Sequence, residues 1–290
     1  MTTLERHVLG LSGGKDSAAL AVYMRDRHPE TPIEYFFTDT GQELPEVYEY
    51  LDRLEAYLGK EIERLNPNRD FDFWLREYNN FLPSAQQRWC TRKLKLEPFE
   101  AWIRPDLANG VAVTTYVGIR ADENRDGYRA ETTGVNVRFP FREDGVDKAG
   151  VLRILKESGL GIPKYYDWRS RSGCTFCFFQ QKIEWVRLRE HHPEEFEKAK
   201  AYEKTAKDHG SPFTWAEHET LTELEDAGRM EQIKVEHAKR LERFRQKYRR
   251  DLRRNPYKSE MSDRELDELH DVDEVYGISD VAGSCVICHK

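Results

Sequence analysis

The hexapeptide SGGKDS at residues 12–17 constrains the fold of this chain more than any other segment. It follows an apolar run at residues 7–11 that predicts a short buried strand, and it precedes a helical pattern from about Asp16 to Asp26. A glycine turn between a strand and a helix is the usual phosphate site of an α/β sheet, because free backbone N–H groups and the positive helix end attract anions. The spacing differs from a Walker A loop, in which the Lys-Ser/Thr pair ends a longer glycine run.

The alternation of strands and helices continues beyond this unit. A strand at residues 33–37 and a helix at 45–58 follow, then a strand near Ile62, helices at 71–78 and 94–103, and an apolar run at 111–119. This pattern predicts an α/β fold with a parallel sheet. From Cys177 onward the chain becomes charged and helical in spacing, at 182–191, 193–208 and 230–254, with no evident strand. We therefore predict one domain at 1–170 and a helical C-terminal region with CxxC motifs at 171–290.

Composition limits the possible function classes. The formal net charge of −7 argues against general adhesion to nucleic acid, although a local basic face could still dock DNA, RNA or an acidic partner. No stretch approaches the roughly 18 apolar residues of a membrane span, so we expect a cytoplasmic protein that makes no membrane contact. In a reduced compartment the five cysteines are expected to be metal ligands, redox groups or buried thiols rather than disulfides.

Three cysteines form a candidate metal site. Cys90 begins a predicted basic helix, and Cys174 and Cys177 form a CxxC motif. A lone cysteine is usually a small buried residue, and one CxxC is either a redox pair or half of a zinc site. A second CxxC, Cys285 and Cys288, lies near the C-terminus and is interpreted either as incidental thiols or as a persulfide relay, a fourth ligand or a separate metal site.

A basic segment contrasts with the acidic chain. Eleven basic residues between 234 and 258 accompany only Glu236, Glu242 and Asp251. They form either a contact surface for a nucleic-acid backbone or acidic partner, or a solvated helix paired with the acidic run at 263–274. His191 and His192 are interpreted as part of a helix start at Pro193 and not as ligands.

The sequence resembles the PP-loop ATP pyrophosphatases and sulfonucleotide reductases, which implies an adenine nucleotide alpha hydrolase-like fold. SGGKDS resembles the PP-loop, FTDTGQELPE resembles the DTG motif of the phosphoadenylyl-sulfate (PAPS) reductase family, and GIRADENR resembles its GIR motif. The resemblance implies that Ser12, Lys15 and Asp16 are catalytic. It also implies that the following residues bind ATP with Mg²⁺: Ser12, Gly13, Gly14, Lys15, Asp16, Ser17, Asp39, Thr40, Gly41 and Arg120.

The same resemblance implies an iron–sulfur site, with zinc or no metal as alternatives. Related iron–sulfur members carry a Cys-Cys pair before Arg-Lys and a distant CxxC, whereas this chain has Trp89-Cys90. The missing ligand implies either a fourth ligand from the tail or a [4Fe–4S] cluster held by Cys90, Cys174 and Cys177 with one open iron, as in tRNA thiolation enzymes.

Among PP-loop families the chain looks most like the ATP pyrophosphatase of DNA phosphorothioation systems, the DndC or SspD type, in phage defence. This implies adenylation of a DNA backbone phosphate for sulfur incorporation, with a cysteine desulfurase as sulfur donor and other sulfur-modification proteins as partners. The alternatives are a sulfonucleotide reductase, a tRNA thiolation enzyme and a non-catalytic nucleotide-responsive scaffold.

Overall fold

The computed structural model describes residues 5–65, 69–123, 132–170, 173–216 and 218–254. Cys285, Cys288 and the acidic run at 263–274 lie outside the described residues. The strands are β1 Glu5–Leu11, β2 Ile33–Thr38, β3 Ile62–Leu65, β4 Ala112–Tyr116 and β5 Val135–Arg138. The helices of the first part are α1 Lys15–Arg27, α2 Pro45–Leu58, α3 Phe71–Glu77, α4 Trp89–Thr91, α5 Glu97–Ala108, α6 Pro140–Glu143 and α7 Lys148–Glu157. Those of the second part are α8 Lys182–His191, α9 Pro193–Asp208, α10 Leu221–Leu224 and α11 Ala227–Arg254. A π-helical turn, Arg92–Leu96, joins α4 to α5, and a 3₁₀ turn spans Lys164–Asp167.

The five strands form one parallel sheet in the order β3-β2-β1-β4-β5. This confirms the predicted α/β fold. Strand β1 lies at the centre, with Leu9 opposite Tyr35 of β2 and Tyr116 of β4. Because all strands run the same way, the loops that follow β1, β2 and β4 meet at one edge of the sheet.

Alternating side chains of β1 reach two separate cores, one on each face of the sheet. Val8 lies in a small cluster with Phe36, Phe99 and Ile103, which packs α5 on one face. Leu9 lies in the larger cluster, which includes α1, α2 and α7 on the other face. The sheet is therefore covered on both sides, as expected of a parallel sheet.

Two local features differ from the sequence-based expectation. Strand β5 was not predicted, since four residues, VNVR, with half-buried and exposed side chains alternating give little apolar signal. The helix predicted at 94–103 begins earlier, at Trp89, and passes through the π turn. Cys90 does lie at the start of this basic helical segment, as predicted.

The helical C-terminal region is also confirmed, and its core is continuous with that of the sheet. Within the described part of 173–254 the chain forms helices α8 to α11 and two isolated bridges but no strand. Trp185 and Trp215 belong to the same buried cluster as Leu9 of β1. The division at residue 170 stays a prediction. Among the described residues, no helix combines the length and the apolar character needed to cross a membrane.

Candidate functional site

The serine hydroxyls of the phosphate loop brace the loop itself. The Ser12 amide N–H donates to Ser17 Oγ at 3.2 Å, and Ser17 Oγ donates to the Gly14 carbonyl oxygen at 3.2 Å. Gly13 has a φ of 69°, in the left-handed region that favours glycine. Gly14, the N-cap residue of the 13-residue helix α1, makes no side-chain capping hydrogen bond. The loop is thus held at an uncapped helix N-terminus, where N–H groups and the helix dipole attract an anion.

Two adjacent tyrosines of the 3₁₀ turn pack against this loop. The Tyr165 hydroxyl donates to the Gly13 carbonyl oxygen at 3.0 Å, and the Lys15 amide N–H donates to the Tyr166 hydroxyl at 3.4 Å. Lys15 Nζ lies 4.4 Å from the centre of the Tyr166 ring. Burial raises the pKa of both phenols, which are therefore neutral. The Tyr166 hydroxyl thus accepts from an N–H group of the kind that binds phosphate oxygens in such loops.

Asp16 and Arg120, predicted as separate nucleotide contacts, form a buried ion pair. Arg120 Nη1 lies 2.9 Å from Asp16 Oδ1 and 3.0 Å from Glu123 Oε1. Arg120 also pairs with Asp122 at 3.0 Å, and Lys15 Nζ lies 3.7 Å from Asp16 Oδ2. Burial lowers the pKa of Arg120, but the Asp16, Glu123 and Asp122 carboxylates raise it more, so the guanidinium stays charged. The network joins the loop after β4 to the start of α1.

The segment after β2 is hydrogen-bonded to the CxxC segment. Asp39 Oδ1 accepts from the Gly41 amide at 2.8 Å and from the Tyr48 hydroxyl at 2.8 Å. Thr40 Oγ1 donates to Glu43 Oε1 at 3.0 Å, and Cys174 Sγ donates to the same oxygen at 3.2 Å. Glu43 and Cys174 also form an antiparallel bridge. Glu43 belongs to the FTDTGQELPE segment that was expected at this sheet edge, but it was not among the predicted nucleotide-binding residues.

The three predicted cysteine ligands line one cavity. Cys90, Cys174 and Cys177 surround it together with Arg88 and Lys95, and the remaining lining is largely aromatic and aliphatic. Lys95 Nζ donates to Cys174 Sγ at 3.3 Å. Lys95 belongs to the π turn, a helix irregularity that is frequent at functional sites.

The side chains that line this cavity are of the types that could bind an iron–sulfur cluster through cysteine thiolates. Two guanidinium nitrogens of Arg88, Nε and Nη2, are buried without a hydrogen-bond acceptor in the part of the chain described here, so an anionic group in the cavity would balance their charge. Burial and the Glu43 carboxylate raise the pKa of the Cys174 thiol well above its ordinary value, whereas Lys95 lowers it. Within the described residues, no group of three or more His, Cys, Asp or Glu side chains is arranged to hold a metal ion. A cluster would therefore require the thiols to ionise and to approach one another.

Val47 lies between the phosphate loop and the cysteine segment. A Cβ atom on Gly13 would lie 2.5 Å from Val47 Cγ1, and one on Gly173 would lie 1.8 Å from Val47 Cγ2. Arg169, which is 1% exposed, donates to the Cys174 carbonyl oxygen, and its amide donates to the Tyr165 carbonyl oxygen at 2.9 Å. The two predicted sites are therefore parts of one continuous packed region.

Residues 6–155, just over half of the chain, match the family described as the phosphoadenosine phosphosulfate reductase domain. The chain belongs to this PAPS reductase family. The family is an enzymatic one. Its match spans the phosphate loop, the segment after β2, Cys90 and Arg120, and it ends before the CxxC motif.

Two relatives resemble most of the chain. It is 25% identical over 200 residues to an uncharacterized protein of Methanocaldococcus jannaschii, covering 66% of this chain and 40% of that protein. It is 24% identical over 256 residues to an uncharacterized 37.8 kDa protein of Escherichia phage 186, covering 68% of this chain and 74% of the phage protein. The chain thus spans well under half of the archaeal relative's length.

Two solved structures are similar at low identity. PAPS reductase from Candida auris, in a phosphate complex, has a TM-score of 0.46 and 16% identity, covering 59% of this chain and 82% of that one. The U34-tRNA thiolase NcsA from Methanococcus maripaludis, with its [4Fe-4S] cluster, has a TM-score of 0.41 and 13% identity, covering 71% and 72%.

Several residues of this site carried little signal in the sequence. The CxxC motif is closely preceded in sequence by Tyr165, Tyr166 and Arg169. This proximity is the single cue that could have marked them as site residues. Glu43 lies within the DTG-containing segment but at a position outside the quoted Asp-Thr-Gly. Lys95 is one of several basic residues after Cys90 and cannot be told from the others by spacing.

Proposed function

We propose that this chain is an ATP pyrophosphatase that adenylates a phosphate oxygen of the DNA backbone for replacement by sulfur. The observation that carries the proposal is the continuity of two sites at one sheet edge. The N-terminus of α1 lies within the SGGKDS loop, and Val47 packs beside both Gly13 of that loop and Gly173, next to the cysteines that line the cavity. One site suits nucleotide phosphates and the other suits sulfur chemistry.

In the first half-reaction, a non-bridging oxygen of the acceptor phosphate attacks the α-phosphorus of ATP. The bond from that phosphorus to the bridging oxygen breaks and pyrophosphate leaves, with Mg²⁺ bound to the nucleotide phosphates neutralising charge. The loop N–H groups and Lys15 hold the leaving pyrophosphate. A phosphodiester anion carries no proton on the attacking oxygen, so this step needs no general base.

In the second half-reaction, hydrosulfide sulfur attacks the adenylated acceptor phosphorus, the P–O bond to AMP breaks, and the sulfur proton passes to water. A [4Fe–4S] cluster held by Cys90, Cys174 and Cys177 would supply a site for sulfide at its iron that lacks a protein ligand. Lys95 and Arg88 provide positive charge beside that cavity. A cysteine desulfurase would supply the sulfur as a persulfide, from which a thiol reductant would release hydrosulfide with formation of a disulfide, in an assembly with other sulfur-modification proteins.

The family match favours a second candidate, a sulfonucleotide reductase. In that reaction a cysteine thiolate attacks the sulfur of adenylyl sulfate or its 3′-phosphorylated form, and a second thiol then releases sulfite. This candidate predicts sulfite formation from a sulfonucleotide with no pyrophosphate from ATP.

The nucleotide half of the proposal is tested by pyrophosphate release from ATP in the presence of duplex DNA and sulfide. We expect turnover in the wild type, a loss of at least tenfold in Ser12→Ala and Lys15→Gln, and normal turnover in Ser158→Ala, at the C-cap of α7 far from the loop in sequence. ATP binding without turnover would favour the scaffold. In a parallel assay with adenylyl sulfate and a thiol reductant in place of ATP, sulfite release would favour the reductase.

The cluster half is tested by anaerobic reconstitution followed by iron analysis and electron paramagnetic resonance. We expect iron retention in the wild type and loss in Cys90→Ser, Cys174→Ser and Cys177→Ser. Cys285→Ser and Cys288→Ser serve as matched variants that report whether the tail donates a ligand. Full iron retention in the double variant Cys174→Ser/Cys177→Ser would contradict the assignment.

The acceptor is tested by mass spectrometry of nuclease-digested DNA and tRNA from the host with and without the gene. Loss of phosphorothioate dinucleotides would support the DNA proposal. Loss of a thiolated nucleoside would replace it with tRNA thiolation, which uses the same ATP chemistry on a base.

A further inference from the structure

The C-terminal half of α11 carries dense positive charge on an acidic protein. The whole chain has a formal net charge of −7. Between residues 239 and 250 there is one acidic residue, Glu242, against seven basic residues: Lys239, Arg240, Arg243, Arg245, Lys247, Arg249 and Arg250. Positive charge is therefore locally concentrated on this half of α11.

Four of these cations lie on one exposed side of the helix. Lys239, Arg243, Lys247 and Arg250 are spaced i, i+4, i+8 and i+11, which places them within about one quarter of the helix circumference. All four are exposed. We call these four residues the basic stripe. It extends about 16 Å along the helix axis.

No carboxylate neutralises the basic stripe among the residues described here. The Arg243 and Arg250 side chains donate to the helix carbonyl oxygens of Lys239 and Gln246 at 3.2 and 3.3 Å. Glu242 instead accepts from the amide of Gln246 at 2.9 Å. A merely solvated helix usually alternates charges in attractive i, i+4 pairs, whereas like charges at this spacing destabilise a helix. A polyanion would relieve that repulsion.

The N-terminal part of α11 is occupied by packing, so the C-terminal part, which carries the basic stripe, is the part left for a partner. Ile233 and His237 are buried, and this part of the helix packs on α8 and α10. Beyond it, the helix continues to Arg254.

We infer that the basic stripe is a docking surface for the phosphate backbone of duplex DNA. B-DNA presents one phosphate per strand for about every 3.4 Å of its axis, so about five phosphates of one strand lie within the length of the stripe. Guanidinium and ammonium groups of this spacing bind such a backbone without reading its sequence. The inference deepens the proposed function, since it places a surface for its DNA acceptor outside the nucleotide and cysteine sites.

The experiment is fluorescence anisotropy with a labelled DNA duplex and with tRNA, without ATP, at salt concentrations from about 50 to 200 mM. Four phosphate contacts predict that wild-type affinity falls by about 100-fold over this range. The variant Lys239→Gln/Arg243→Gln/Lys247→Gln/Arg250→Gln should bind duplex DNA far more weakly at low salt and show a slope of log K against log salt reduced by about 3.6. Glutamine is a good helix former, so α11 should persist by circular dichroism.

A charge-matched variant separates the surface from net charge. Arg76, Arg104, Lys156 and Lys207 are also exposed, and their replacement by glutamine removes two arginines and two lysines as well. This control should bind duplex DNA more tightly than the stripe variant does. Its slope of log K against log salt should equal that of the wild type. Equal losses in both variants, no DNA binding by the wild type, or stripe-dependent binding of tRNA alone would each overturn the inference.

ATP binding by calorimetry on the same three proteins distinguishes this inference from the proposed function. ATP binding should be unchanged in both glutamine variants. A wild type that binds DNA through the stripe but does not bind ATP would leave the surface standing and remove the pyrophosphatase proposal.

Discussion

Gly173 has no side chain, which lets the CxxC segment pack closely against Val47 of α2. A Cβ atom there would lie 1.8 Å from Val47 Cγ2, well inside van der Waals contact. The adjoining hydrogen bonds, Leu44 N–H to the Gly173 carbonyl at 2.8 Å and Thr175 N–H to the Gln42 carbonyl at 2.7 Å, leave the segment little freedom to move away.

We therefore expect Gly173→Ala to lower the free energy of unfolding by about 1–3 kcal/mol, as overpacking does, and Val47→Ala to restore part of it in the double variant. Urea unfolding measures both. The comparison variant is Gly159→Ala, where φ is 76° and nothing lies within 4 Å, so that the backbone conformation alone contributes about 1 kcal/mol. Equal effects of Val47→Ala in the wild-type and Gly173→Ala backgrounds would contradict the packing argument.

The Arg120 guanidinium neutralises two buried carboxylates at once. Asp16 and Glu123 lie 2.9 and 3.0 Å from Arg120 Nη1. Arg120→Met should destabilise the fold by about 3–5 kcal/mol, because it leaves buried negative charge uncompensated. In a double-mutant cycle by urea unfolding, Asp16→Asn should lessen the effect of Arg120→Met; strictly additive losses would show that the pair is not coupled.

This ion pair shows what sequence reasoning could and could not predict at the residue scale. Asp16 and Arg120 were both placed near the nucleotide site, and the structure does bring them together. Their pairing with each other was not predicted. The residues are 104 positions apart, and their contact depends on how the loop after β4 packs against the start of α1. The same reason applies to Glu43, whose partner Cys174 is 131 positions away.

At the scale of elements, regular elements with strong apolar patterns were predictable and irregular ones were not. Helix α2 buries a clear stripe, β2 is largely apolar and β1 ends in the apolar run VLGL, so each was predicted close to its observed bounds. The π turn has no signature of its own, because its residues, RKLKL, also suit an ordinary helix.

His237 makes the docking of α11 on α8 dependent on pH. Burial, followed by the positive charges of Arg187 and Arg240, lowers the pKa of His237 from its ordinary value of 6.5 to about 4. The unfolded chain therefore binds a proton below about pH 6.5 that the folded chain does not bind until about pH 4. Stability is full above this window and falls as the pH drops through it.

Between pH 7.5 and 5 we expect this histidine to reduce the free energy of unfolding by about 1–2 kcal/mol. Urea midpoints for the wild type and His237→Gln measure it: the variant should lose less stability over this range. His209, an exposed histidine at the C-cap of α9, provides the matched variant His209→Gln, which should follow the wild type. A pH dependence of His237→Gln as steep as that of the wild type would refute the assignment.

At the scale of the whole molecule, the question is whether the sheet and the C-terminal helices unfold together. The change in composition after Cys177 predicted a boundary near residue 170. One buried cluster nevertheless extends from Leu9 of β1 to Trp215, which is 2% exposed and donates its indole N–H to the Ala199 carbonyl oxygen at 2.9 Å. Composition reports surface character, whereas cooperativity depends on shared buried area, so the sequence could not decide this point.

Because the core is continuous, a substitution that destabilises the C-terminal helices should also destabilise the sheet. Trp215→Ala should cost about 3–5 kcal/mol through the cavity it leaves. Native-state hydrogen exchange should then show the slowest amides of β1 losing as much protection as those of α8 and α9. Val235→Ala, at a side chain that is 41% exposed, should leave both unchanged. If Trp215→Ala weakens protection in the C-terminal helices while β1 keeps its wild-type value, the two parts are separate cooperative units and the boundary near residue 170 is real.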